Sequence, residues 1–221
     1  MNLQVLRRIV TEAVTDFPAN ALCVRVDRHD LVMDDYHRIL KAIFHQTYEG
    51  PSSFALAGAN CGTSRPEIRD YLLHHAEEES LHWQWVISDL RSTGYSGADP
   101  RDEFPALPTQ NYISYLFYLA QRCPVARLGP AAVLESIGAT YGKRYATEVC
   151  RQLRLAPEQA KFFFGHGDTD VGHTEDIFRV LEAAELTATE WRWLSDAAQK
   201  AGVLYRQLYE HAASARDVAL A

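Results

Sequence analysis

Apolar residues return along this chain at steps of three and four, and no sustained alternation of β-branched residues interrupts them. Positions three or four apart share a helix face, whereas positions two apart share a strand face, so the spacing predicts an all-α protein. Prolines, glycines and capping residues divide the pattern into seven helices, at residues 2–16, 30–49, 64–91, 109–123, 130–153, 156–184 and 187–213. Gly50-Pro51 ends the second, and segment 50–63, rich in Gly, Ser, Ala and Asn, reads as a loop. Ser64 with Glu67, and Thr187 with Glu190, have the spacing of capping boxes. Seven helices with mostly short joints fit one compact bundle over residues 1–221.

The 221 residues are 47% hydrophobic, enough to bury a large core as one domain. A net charge of −7, with no cluster of Lys or Arg, argues against a nucleic-acid partner and leaves a small molecule as the expected one. Cys23, Cys61, Cys123 and Cys150 are far apart and form no Cys-x-x-Cys, which points to a reducing cytoplasm. No segment approaches the roughly 20 apolar residues of a membrane span, and the first residues lack a signal-like apolar run. The expectation is a soluble, cytoplasmic protein with no membrane partner.

Three polar constellations interrupt otherwise apolar helices. The stretch GHGDTDVGH, residues 165–173, places His166, Asp170 and His173 at roughly 0°, 40° and −20° around a helix, so the three share one narrow stripe. Three phenylalanines at 162–164 precede it, and Ile177, Val180 and Leu181 follow. A solvated stripe is the plain alternative, but burial of these groups costs several kcal/mol unless something such as a cation compensates it. Asp168 falls on another side, and Gly165, Gly167 and Gly172 allow close helix packing or a local widening of the helix. The second constellation is EEESLHW, residues 77–83, where Glu79 or Glu78 shares a face with His82. The third is Glu135, the only charge between Arg127 and Lys143.

Together these are three carboxylates and three imidazoles: Glu79 (with Glu78 in reserve), His82, Glu135, His166, Asp170 and His173. Mixed nitrogen and carboxylate sets suit iron or manganese, whereas structural zinc favours cysteine. Six ligands exceed what one catalytic metal with open positions needs, and two metals with a bridging carboxylate use them all.

The same motifs, in this order and at this wide spacing over about residues 71–178, resemble the heme-oxygenase-like di-iron oxidases and oxygenases, iron-containing redox enzymes on a TenA/PqqC-like fold. The resemblance implies a seven-helix heme-oxygenase-like bundle in which the residues above hold two non-heme iron ions, or a manganese and iron pair. It also implies activation of O₂ to oxidise a fatty acid, amino acid or amine by hydrogen abstraction or oxygen insertion, and it is compatible with a homodimer. Tyr112, Tyr115, Phe117, Tyr118, Tyr141 and the phenylalanines at 162–164 are candidates to line a substrate cavity, with His45 and Tyr48 as further contacts. Two competing readings keep the same bundle: a thiaminase-II-like aminopyrimidine hydrolase using Cys123 or Cys150 as nucleophile, and a non-catalytic metal-binding protein.

Overall fold

A computed structural model describes residues 2–218, with side chains as far as Ser214. Among them are nine α-helices and no strand: α1 (Leu3–Asp16), α2 (Ala21–Arg28), α3 (Met33–Cys61), α4 (Pro66–Glu79), α5 (Trp83–Ser92), α6 (Leu107–Arg122), α7 (Leu128–Leu153), α8 (Lys161–Ala183) and α9 (Ala188–Val218). Short 3₁₀ turns at Phe17–Ala19, Pro100–Asp102, Pro124–Arg127 and Pro157–Gln159 join several of them. No helix among the described residues is long and apolar enough to cross a membrane. Helix α7 is the centre of the bundle, packed along α8 on one side and against α9 and α1 on others, while α3 closes the opposite wall with α4 and α6.

The all-α expectation holds, with nine helices in place of seven because α2 is added and one expected helix is split, while α3 is longer than expected. Helix α2 arises where a break is expected, because the Asn20 side chain accepts from Cys23 N and caps a short helix that ends at left-handed His29. Helix α3 runs through Gly50-Pro51 instead of ending there. Its residues Gly50, Ser53, Phe54, Ala57, Gly58 and Cys61 recur at helical spacing, and a side-chain carbon on Gly58 would sit 2.8 Å from Leu73 Cγ of α4. The small residues that read as a loop are a close-packing face, and its burial offsets the hydrogen bond that Pro51 removes.

The expected helix 64–91 is divided into α4 and α5 at residues 80–82. There the backbone switches to i→i+3 bonds, Ser80 N to Glu77 O and His82 N to Glu79 O, while Ser80 Oγ also donates to Glu77 O. The Ser64–Glu67 capping box does not form: Arg65 precedes Pro66 at the start of α4, and Ser64 Oγ donates to Cys61 O. The Thr187–Glu190 box does form, with Glu190 N donating to Thr187 Oγ1 and Thr187 N to Glu190 Oε2.

Helix α8 carries the most chemistry, and a buried carboxylate sets its direction. Asp89 of α5 is fully buried and accepts from Lys161 N at 3.0 Å and Phe162 N at 2.9 Å, the free amides of α8's first turn. Burial outweighs these hydrogen bonds and pushes its carboxyl up to about 6. Because the folded form then holds its proton to higher pH than the unfolded chain, this group's contribution to stability is complete below about pH 4 and falls as pH rises to about 6. The stability of wild type relative to Asp89→Asn, measured by chemical denaturation, should therefore decline across that window. A difference that stays flat with pH would mean that Asp89 is not held in this way.

Candidate metal centre

The 3₁₀ turn between α4 and α5 has a direct consequence for Glu79 and His82. At three residues per turn, side chains three apart stand directly above one another. His82 Nδ1 lies 2.7 Å from Glu79 Oε2. One turn earlier, His75 falls on the same stripe, four residues before Glu79 and seven before His82. Helix α7 presents Glu135 to these groups, and α8 presents His166, Asp170 and His173.

All six residues expected from the sequence come together, and His75 joins them. Six of the seven form two triads, His75, Glu135 and His173 in one and Glu79, His82 and His166 in the other, each with one ligand atom per residue within 4.8 Å of the others. Glu79 lies between them, with Oε2 3.5 Å from His166 Nε2 and Oε1 3.6 Å from His173 Nδ1. Glu135 has Oε1 3.4 Å from His75 Nε2 and Oε2 3.3 Å from His173 Nδ1. Asp170 stands outside both triads with its carboxyl against Glu135. Glu78 is half-exposed and reaches His173 Nε2 only at 3.7 Å, whereas Glu79 is buried. Asp168 pairs at the surface with Lys143.

Gly165 and Gly167 of α8 act by close packing, and the helix keeps α geometry from Lys161 to Ala183. A side-chain carbon on Gly142 of α7 would lie 3.0 Å from Gly167 Cα, and one on Gly167 would lie 2.8 Å from Lys143 N. The two backbones touch at this point. Gly138, one turn earlier on α7, leaves the space that the Asp170 carboxylate occupies. Gly165 likewise makes room for the ring of Trp85, and nothing crowds Gly172.

Aromatic rings fix the imidazoles. Trp85 stacks on His82 with centroids 4.0 Å apart, Phe162 lies 4.2 Å from His166, and His75 sits between Phe54 and Tyr71. His166 Nδ1 is 3.0 Å from Phe162 O, and since a carbonyl only accepts, Nδ1 carries the hydrogen and Nε2 is turned toward Glu79.

The electrostatics are those of a charged cluster in an apolar setting. Burial alone would raise Glu79, but hydrogen bonds from His166 and His82 more than offset it and hold the carboxylate well below its usual range. Burial opposes ionisation of Glu135 too, and His173 and His75 hold it down at about 2. Asp170 goes the other way: burial first, then the negative charges of Glu135 and Glu79, push it up to about 11. His173 is raised, because Glu135 outweighs its burial. Neither ring nitrogen of His75 nor Glu79 Oε1 has a hydrogen-bond partner. Orphaned buried donors and acceptors around facing carboxylates are what a cation would satisfy.

The site opens on a cavity with Glu79, Glu135, His166 and Asp170 on the wall. Phe162 and Phe163 line it as expected, together with Tyr36, Phe54, Tyr145 and Tyr205. Tyr112, Tyr115, Phe117, Tyr118, Tyr141 and Phe164 are not on its wall, and His45 and Tyr48 line a separate surface hollow beside Phe104. His75 is absent from the sequence expectation although its spacing to Glu79 and His82 signals it; the acidic run beside it draws attention to the carboxylates.

The fold has close relatives among solved structures. A Shewanella denitrificans domain of unknown function with a heme oxygenase-like fold is 22% identical, with a TM-score of 0.91 over 100% of this chain and 96% of that one. A TenA homologue from P. horikoshii is 11% identical, with a TM-score of 0.77 over 96% and 99% of the two chains. The heme oxygenase of Leptospira interrogans is 17% identical, with a TM-score of 0.69 over 96% and 100%. At these identities the likeness establishes the fold, which is heme-oxygenase-like. No protein of curated function matches at the sequence level. A family model described as iron-containing redox enzyme matches residues 38–202, a span that includes every residue of both triads and Asp170, and the chain belongs to that family.

Proposed function

We propose that the protein is a non-heme di-iron oxidase or oxygenase that uses O₂ to oxidise a small organic substrate in this cavity. The observation that carries the proposal is the position of Glu79, whose two carboxylate oxygens face two different triads of nitrogen and oxygen ligands. The donor set contains no sulfur, which suits iron and also manganese. His75, Glu135 and His173 would hold one ion, Glu79, His82 and His166 the other, with Asp170 completing the set beside Glu135. When bound, two iron ions supply the electrons to reduce O₂ and the oxidising power to take hydrogen from, or add oxygen to, an organic molecule.

The chain's own groups prepare the site for that chemistry. The Phe162 carbonyl keeps His166 in the tautomer that offers Nε2. Phe162, Phe163 and Tyr36 give the cavity wall aromatic surface, with Tyr36 anchored through its hydroxyl to Gln159 O. The carboxyl of Asp170 carries the proton that lets it lie against Glu135, and that proton must leave before the oxygen can hold a cation.

A thiol hydrolase finds less support. Burial raises the thiols of Cys123 and Cys150, neither of which lines the cavity, and Cys23, which does, is pushed up to about 11. Helix α1 has no histidine to serve as a heme ligand.

Anaerobic titration with Fe(II) should saturate at about two equivalents per chain. His166→Ala and Glu135→Ala should each abolish iron-dependent O₂ uptake while leaving the helical circular dichroism largely intact. Unchanged uptake in either variant would refute the di-iron reading.

Metal loading should also release protons. Asp170 and His173 both hold theirs above the usual range, so metal affinity should rise with pH between about 6 and 8. Calorimetric titrations in buffers of different ionisation heat would count the protons, and Asp170→Asn should remove about one of them. Affinity that falls with pH would contradict this assignment.

A further inference from the structure

Among the described residues that line the cavity, Arg127 is the one cationic side chain outside the metal-side group. It sits just ahead of α7, is only 3% exposed, and lines the cavity. Its side chain makes one hydrogen bond, from Nε to Ser53 Oγ at 2.9 Å, and its guanidinium lies 3.6 Å over the ring of Phe54. Among the described residues no carboxylate is within 4 Å of it. Glu135 acts on it only from a distance, and a buried cation without a contacting counter-ion is costly, more so than stacking on one ring returns. At this end of the cavity wall the guanidinium offers N–H donors that no described carboxylate within 4 Å takes up.

The complementary ligand is one whose end is negatively charged and accepts only. A carboxylate meets that description, and its two oxygens match the free fork of the guanidinium. The rest of the wall is mostly apolar, with Ala131, Leu134 and Ile137 along α7 and Leu22, Val26 and Leu31 beyond. Glu135 follows Arg127 by eight residues, about 12 Å along the helix axis and roughly 80° around it, and both line the same cavity. A molecule held at Arg127 thus extends past the metal-side residues.

We propose that the cavity binds an organic acid, its carboxylate on Arg127 and its apolar body along the wall that carries Glu79, Glu135, His166 and Asp170. The proposal deepens the oxidase reading by naming its substrate class, and rests on that reading for the chemistry but not for the binding. An amine is disfavoured, because its ammonium would meet the guanidinium in a medium that screens charge poorly. An amino acid is disfavoured as well, since the wall's only carboxylates to receive its ammonium are those of the metal centre.

The test uses calorimetric titration of the full chain, kept metal-free with a chelator, with decanoate, decanol and decylamine. Decanoate should bind at least about tenfold more tightly than either neighbour in the series. Arg127→Met should lose that preference while still binding decanol, and Arg127→Lys should retain part of it. Equal binding of decanoate and decanol, no binding of decanoate, or wild-type decanoate affinity in Arg127→Met would overturn the proposal. The ligand series on the wild type decides the matter even if a variant fails to fold. Because no iron is present, a protein that binds decanoate but shows no iron-dependent O₂ uptake would refute the oxidase alone. The reverse pattern would refute only the role of Arg127.

Discussion

Charge compensation around Glu79 is the constraint on which the rest of the structure depends. Three carboxylates and four imidazoles meet in the middle of a helical bundle, where any one of them ionised and alone would be strongly unfavourable. Within the chain itself the compensation is made with protons: imidazoles hydrogen-bond to Glu79 and Glu135, and Asp170 keeps its own. That balance is incomplete, because both nitrogens of His75 and one oxygen of Glu79 are left without partners. Two cations in place of those protons would satisfy the whole set, and that is the physical content of the di-iron reading.

The helices must approach closely for such a cluster to exist. Gly142 and Gly167 bring the backbones of α7 and α8 into contact, and Gly138 opens a space for the Asp170 carboxylate beside Glu135. Asp89 caps the first turn of α8 and so sets the direction from which His166 and His173 approach. On the other side, a single 3₁₀ turn draws His82 over Glu79. Each device sacrifices local helix stability, through glycine, a tightened turn or a buried charge, and packing around the cluster offsets it.

Arg127 extends the same logic to the ligand. The metal-side groups compensate one another within the chain, whereas the guanidinium over Phe54 lacks a carboxylate among the described residues. A bound acid would complete the charge balance of the cavity and lie across the oxidising centre. Recognition and chemistry would then lie about two helical turns apart, Arg127 just ahead of α7 and Glu135 within it.

By itself the sequence determined the helical class, because apolar spacing is a local property of the chain. It also determined most of the polar cluster: His166, Asp170 and His173 lie on one stripe wherever that helix packs, and Glu135 is conspicuous among apolar neighbours. Helix boundaries were less legible, since Pro51 and the small residues after it read as a loop until α4 is seen packed against Gly58. His75 belongs to a stripe the sequence already contains, yet only burial against Glu135 distinguishes it from exposed His74 beside it. The isolation of Arg127 from any described carboxylate could be decided only in three dimensions, because whether a charge has a partner depends on residues far away in the chain.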